Sequence, residues 1–156
     1  MDWGRGSIDG ATVASLREGG RADWAARNGS LQGPDLVVDP RAVPLALMIT
    51  GANRHNSVVF EALVDAIPSV PGLSGRPRCR PDKLHADEGY DFARCRQHLR
   101  VGGICPGIAR RGIEKNDRLG KHRWVVERTH AWLAGFGKLR IRFERSLLIL
   151  ISLCSP

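Results

Sequence analysis

Lys83-Leu84-His85-Ala86-Asp87-Glu88-Gly89-Tyr90-Asp91 is the stretch on which the fold turns. Its first five residues read as a short strand that delivers Asp87 to a Glu88-Gly89 turn. Beyond it, Phe92 to Val101 reads as a modest helix and Ile104 to Ala109 as a further strand. Before it, Pro68 to Pro81 is a linker dense in Pro, Gly and Arg, with Arg76, Arg78 and Arg80 alternating on an extended backbone, and is not expected to be core. Val59, Phe60, Leu63, Val64 and Ile67 recur at helical spacing, so Asn56 to Ile67 reads as a helix capped by Asn56 or Ser57. Leu36 to Asp39 and Leu45 to Thr50 are apolar, β-prone runs joined by a turn-like segment and suggest a hairpin. Ser7 to Val13 reads as a short strand that ends or kinks at Asp9-Gly10, which leaves Asp9 at a strand edge. Residues 14–34 show no clear period and read as loop.

On the far side, Arg110 to Gly120 is a charged loop. Lys121 to Phe136 reads as a helix whose Val125, Thr129, Trp132 and Phe136 form an apolar stripe. Lys138 to Arg145 alternates basic and apolar residues and fits either a strand or a continued helix. The order of elements predicts a mixed α/β domain with helices packed on a sheet.

The 156 residues, 42% of them hydrophobic, suffice for one domain. The net charge is +8, and residues 76–145 hold 18 basic residues against 8 acidic ones, so the second half faces a polyanion or is simply a solvated cationic surface. Cys79, Cys95, Cys105 and Cys154 have no metal-binding or redox spacing and are expected to be reduced, partly buried thiols. The chain shows no basic-then-apolar leader, and its longest apolar run is far shorter than the ~20 residues of a membrane span, so a cytoplasmic protein is expected.

Three acids occupy related settings: Asp9 and Asp87 at strand-turn junctions, and Glu127 in the middle of an amphipathic helix. Strand ends in one sheet converge, and a helix across that edge lowers a longer Glu toward two Asp carboxylates, giving an oxygen site suited to Mg²⁺ or Mn²⁺. Each acid also has a bland use. Asp9 before Gly10 suits a turn, Asp87 a cap, and Glu127 an ion pair with Arg123. By helical spacing, Trp124 and Trp132 suit core packing better than base stacking, and His85, His122 and His130 show no ligand pattern and read as surface or DNA-adjacent.

Leu84 to Asp91 closely resembles the "aspartate, any residue, glycine-tyrosine-aspartate" block of DDE-type insertion-sequence transposases. Arg123-Trp124-Val125-Val126-Glu127-Arg128-Thr129, with Ala131-Trp132-Leu133 and Leu139-Arg140-Ile141-Arg142, resembles the block that carries the final glutamate. Ser7-Ile8-Asp9-Gly10 is similar to the block of the first aspartate, and Pro44 to His55 to the strand that follows it. The resemblance implies a ribonuclease-H-like fold, a mixed sheet flanked by helices. It implies that Asp9, Asp87 and Glu127 hold Mg²⁺ or Mn²⁺, two ions in all, for DNA cleavage and strand transfer in the transposition of an insertion sequence. Its partner is double-stranded DNA, at element ends and at the target, with a homodimer left open. Arg123 then contacts a phosphate, and Arg76, Arg78, Arg80, Arg110, Arg111, Arg128, Lys138, Arg140 and Arg142 track the backbone.

Three departures accompany the resemblance. Few residues precede Asp9 where the family has a helical region, residues 17–34 diverge from its pattern, and Ser146 to Pro156 is an uncharged apolar tail. The chain is therefore read as a single catalytic domain over residues 1–145 from a truncated copy. Two readings follow: a transposase whose activity turns on Asp9, and a non-catalytic DNA-binding remnant.

Overall fold

A computed structural model of the protein describes residues 1–12, 14–15, 31–51, 55–71, 76–113, 120–135 and 141–142. Five strands form one sheet in the order β4 (Pro44–Gly51), β3 (Leu31–Val38), β1 (Gly6–Thr12), β5 (Lys83–Ala86), β6 (Cys105–Ile108). The β4–β3 and β3–β1 pairings are antiparallel, and β1–β5 and β5–β6 are parallel. A separate two-stranded ribbon pairs β2 (Ala14–Ser15) with β7 (Ile141–Arg142). The helices are α1 (Phe60–Asp65), α2 (Ala93–Val101) and α3 (Gly120–Gly135). The mixed sheet flanked by helices agrees with the architecture that the resemblance implies.

Both faces of the sheet are covered, and strand alternation assigns each residue to one of them. Ile8, Val37, Leu84 and Ala86 pack with Phe60 and Leu63 of α1 and Leu99 of α2. Leu36 and Val38 point the other way, onto Val125 and Val126 of α3. The β3–β4 hairpin turns on Asp39, a fully buried carboxylate that accepts the backbone N–H groups of Arg41 and Val43, both at 2.9 Å. Helices α1 and α2 are tied together by Arg94–Glu61 and His98–Asp65 pairs. The end of α2 is closed by Gly103, at φ +75°, with Ile104 N–H donating to Leu99 and Gly103 N–H to Arg100. That 6→1 and 5→2 pair of bonds needs a left-handed residue between them, which glycine supplies at least cost.

Several expectations change. Strand β1 runs through Asp9-Gly10 without ending there, and its irregularity lies between Gly10 and Thr12. Asp9 is thus inside a strand, where its backbone continues to pair with β3. The expected helix 56–67 divides into a 3₁₀ turn over Asn56–Val58 and the short α1, and the turn is capped by the side chain of His55 instead of Asn56 or Ser57. Residues 14–15 and 31–34 are strand and not loop. Pro81, in the linker expected to stay outside the core, is buried against Gly6. The expected stripe of α3 is rotated: Val125, Val126 and Thr129 are buried, whereas Trp132 is 61% exposed and Trp124 49%. Phe136 lies outside the described residues. Cys79, Cys95 and Cys105 are free thiols, as expected, but Cys105 is exposed where partial burial was expected, and Cys154 is outside the described residues. Among the described residues no helix is long and apolar enough to cross a membrane.

Candidate active site

The parallel register of β1 and β5 pairs Gly6 with Leu84 and Ser7 with His85. Asp9 lies two residues beyond Ser7 within β1, and Asp87 lies two residues beyond His85, just past the end of β5. Asp9 is paired across β3 with Leu36, and directly opposed residues share a face. Since Leu36 packs on α3, Asp9 faces α3. Asp87 follows by alternation from Leu84 and Ala86, which face the other helices. Both aspartates therefore lie on the sheet face that the helix bearing Glu127 covers.

Each aspartate is oriented by the residues after it. Asp9 Oδ1 accepts the Gly10 N–H at 2.9 Å. Asp87 Oδ1 accepts the Gly89 N–H at 2.9 Å and caps a 3₁₀ turn over Glu88–Tyr90. A Cβ on residue 89 would meet that carboxylate oxygen at 2.9 Å, which explains the glycine. Tyr90 is buried against Phe60, with ring centroids 5.4 Å apart. Asp91 accepts Arg96 Nε and Nη2 at 2.9 and 2.7 Å and the Arg111 N–H at 3.1 Å, joining the turn to α2 and to the loop after β6. The Arg96 guanidinium and that N–H hold the Asp91 carboxyl below its usual range. The whole Asp87-to-Asp91 block is thus a rigid mount for one carboxylate, and capping and site placement are the same geometry.

On α3, Glu127 is exposed at the rim of the buried stripe. One turn on, His130 hydrogen-bonds to the backbone of Asp9 and feels the charge of Glu127. Burial outweighs both and pushes the imidazole below its usual pKa, so it is neutral at pH 7. His130 is therefore not the surface residue expected, and neither is His85, which is 5% exposed; the side chain of His122 lies outside the described residues. On the opposite face, burial pushes the Tyr90 hydroxyl far above its usual range, and the charges of Asp35, Asp9 and Asp87 add to this in that order. One hydroxyl thus senses both aspartates. Asp35 is fully buried, and desolvation, with a smaller push from Asp9, raises its carboxyl to about 6 against the opposing Thr50 hydrogen bond.

The hard carboxylate oxygens are the right donor chemistry for a divalent cation. The spacing is open: among the described residues no three His, Cys, Asp or Glu side chains are grouped closely enough to hold an ion between them. The fold puts Asp9 and Asp87 on neighbouring strands and on the face that α3 covers, without drawing the three carboxylates to one point.

The basic residues divide by position. Arg111 Nε donates to the Glu88 carbonyl at 3.1 Å, which places the exposed Arg110–Arg111 pair beside the Asp87 turn. Arg128, next to Glu127, lies over the Trp124 ring at 5.3 Å. Arg78 pairs with Asp82, and Arg80 donates to the Gly102 carbonyl at 3.0 Å. Both precede β5 and sit at the end away from Asp87, so these two arginines do not ring the acids as expected. Arg76 is exposed on the same segment. Lys138 and Arg140 lie outside the described residues, as do the side chains of Arg123 and Arg142.

Residues 7–153 match the family described as the transposase DDE domain. A protein of Burkholderia cepacia, described as a candidate transposase for insertion sequence element IS402, is 53% identical over 110 residues, which cover 70% of this chain and 52% of that protein. A transposase for insertion sequence element IS1106 from Neisseria meningitidis serogroup B is 28% identical over 152 residues, 89% of this chain and 46% of the relative. The chain thus spans about half the length of both relatives. The crystal structure of the catalytic core domain of BIV integrase superposes with a TM-score of 0.48 at 12% identity, over 84% of this chain and 66% of that one.

Proposed function

The chain belongs to the transposase DDE domain family, and from that premise we propose that it is the catalytic core of a DNA transposase, cutting DNA and joining the freed 3′ end to a target strand. The observation that carries the reading is the placement of Asp9 within β1 and of Asp87 just past the end of the neighbouring parallel strand β5, on the sheet face that the helix bearing Glu127 covers. Asp9, Asp87 and Glu127 are the residues that would hold the divalent ions, Mg²⁺ or Mn²⁺ and two in number. When bound, such ions activate the attacking oxygen and offset charge on the transferring phosphoryl group.

The chain's own residues do the remaining work. The Gly10 and Gly89 N–H groups fix one oxygen of each aspartate before any ligand arrives. His130, neutral and hydrogen-bonded to the backbone of Asp9, holds α3 against β1 at the height of the site. Arg110, Arg111 and Arg128 surround the acids with exposed positive charge, which supplies salt-sensitive, sequence-independent attraction to a phosphate backbone.

Nicking of supercoiled plasmid tests this. Activity in Mg²⁺ or Mn²⁺ that Asp87→Ala abolishes, with DNA binding retained, is expected. One observation favours a second reading, a DNA-binding remnant without catalysis: the three carboxylates are not grouped closely enough to share an ion. Salt-sensitive DNA binding with no nicking in either metal would establish that reading instead.

A further inference from the structure

Directly behind Asp9, on the sheet face opposite the acids, lies a carboxylate that packing alone does not explain. Asp35 is paired with Gly10 across β1–β3 and with Met48 across β3–β4, and it is fully buried. Its Oδ2 accepts the Thr50 hydroxyl at 3.0 Å, while its Oδ1 has no hydrogen-bond partner among the described residues. A buried acceptor left in this state costs on the order of 1–3 kcal/mol, and such costs gather where something other than stability is served.

The position of that oxygen is informative. A Cβ built on Gly10 would stand 2.4 Å from Asp35 Oδ1 and 2.5 Å from Asn56 Nδ2. Both groups therefore fill the space that a side chain at position 10 would take, so they pack directly against the Gly10 backbone. On its other side, the N–H of Gly10 is the donor to Asp9 Oδ1. The strand register slips just past this point, between Gly10 and Thr12, so Gly10 is the last regularly paired residue before the irregularity. We propose that Asp35, braced by Thr50 and seconded by Asn56, clamps the Gly10 peptide and so sets the direction of the Asp9 carboxylate. Asp35 is a positioning residue, acting through one peptide unit onto a group on the opposite face. The inference rests on the reading of Asp9 and Asp87 as metal-holding acids.

Binding of Mn²⁺ alone to the full chain, followed by loss of the free-ion paramagnetic resonance signal, tests it without any catalytic step. Asp35→Asn keeps the shape and the acceptor for Thr50, and its affinity is expected to stay close to that of the parent. Asp35→Val removes the oxygens, and Thr50→Val removes the brace. Each is expected to weaken Mn²⁺ binding by about tenfold or more, the size usual for groups that orient metal ligands, at a temperature where circular dichroism shows the chain folded. Folded Val variants that bind Mn²⁺ as the parent does would overturn the proposal, as would an Asn variant as weak as the Val one. Failure of the parent itself to bind Mn²⁺ would remove the reading of the acids, and with it the inference.

Discussion

Replacing Asp35 by Asn should raise the stability of the fold at neutral and higher pH. The carboxyl is fully buried, and desolvation lifts it from an ordinary value of 3.8 to about 6. A carboxyl raised in the folded state favours folding when protonated. Its contribution is complete below pH 3.8 and is lost as the pH rises through 6. The full penalty above that range is about 3 kcal/mol, from 1.36 kcal/mol per tenfold change in proton affinity. At pH 5 about half of it has developed, because the unfolded chain is already ionised and the folded one is not. Asn carries no such penalty. Urea unfolding of parent and Asp35→Asn at pH 5 and pH 8 should therefore give a difference in the variant's favour that roughly doubles between the two. A variant less stable than the parent at both values, or a gap independent of pH, would refute a desolvated carboxylate at this position.

The Tyr90 ring is 1% exposed and stacked near Phe60, so Tyr90→Ala should cost about 3–5 kcal/mol in urea unfolding; a cost under about 1 kcal/mol would mean that the ring is not core. Asp91→Ala should cost about 1–3 kcal/mol and speed proteolysis near Ala109 to Arg111, because the Arg96 pair and the Arg111 N–H lose their acceptor. Since Asp91 is held below its usual range, that loss should be present at pH 7 and fade as the medium becomes acid, and an acid-independent difference would contradict the pairing. Trp124→Ser and Trp132→Ser, at half-exposed and mostly exposed positions, should each change stability by no more than about 0.5 kcal/mol. A large loss in either would return that ring to the core.

Much of the sheet was legible in the sequence because β5, α2 and β6 follow one another with clear periodic runs and turn residues between them. The Asp87 mount was legible for a further reason: each of its residues does one local task, so the pattern and the geometry coincide. Trp132 was misread because spacings of three and four define a stripe without fixing its centre. Val126, outside the stripe chosen, is buried together with Val125 and Thr129, and the Trp132 ring falls at the solvent edge. His130 and Asp35 were missed for a different reason. A lone His on a helix and an Asp beside Pro34 carry no signal until the register of β1 with β3 and the packing of α3 put them next to Asp9-Gly10. Asp35 stands just before the apolar run Leu36 to Val38, and only the strand pairing with Gly10 and Met48 shows that it belongs to the sheet.

The pairing of β1 with β5 also sets an order of events in folding. The β3–β4 hairpin closes over a few residues, and β1 can join it early, but Asp9 meets Asp87 only after about 80 residues of intervening chain have been looped back. Contacts of such long range form slowly and late compared with hairpins and helices. On a growing chain, the half-site with Asp9 is fixed to its hairpin before Asp87 has been synthesised, and the exposed parallel edge of β1 must wait for its partner. Conditions that slow this closure should expose β1 to pairing with another chain, so aggregation during synthesis is expected to compete with completion of the site.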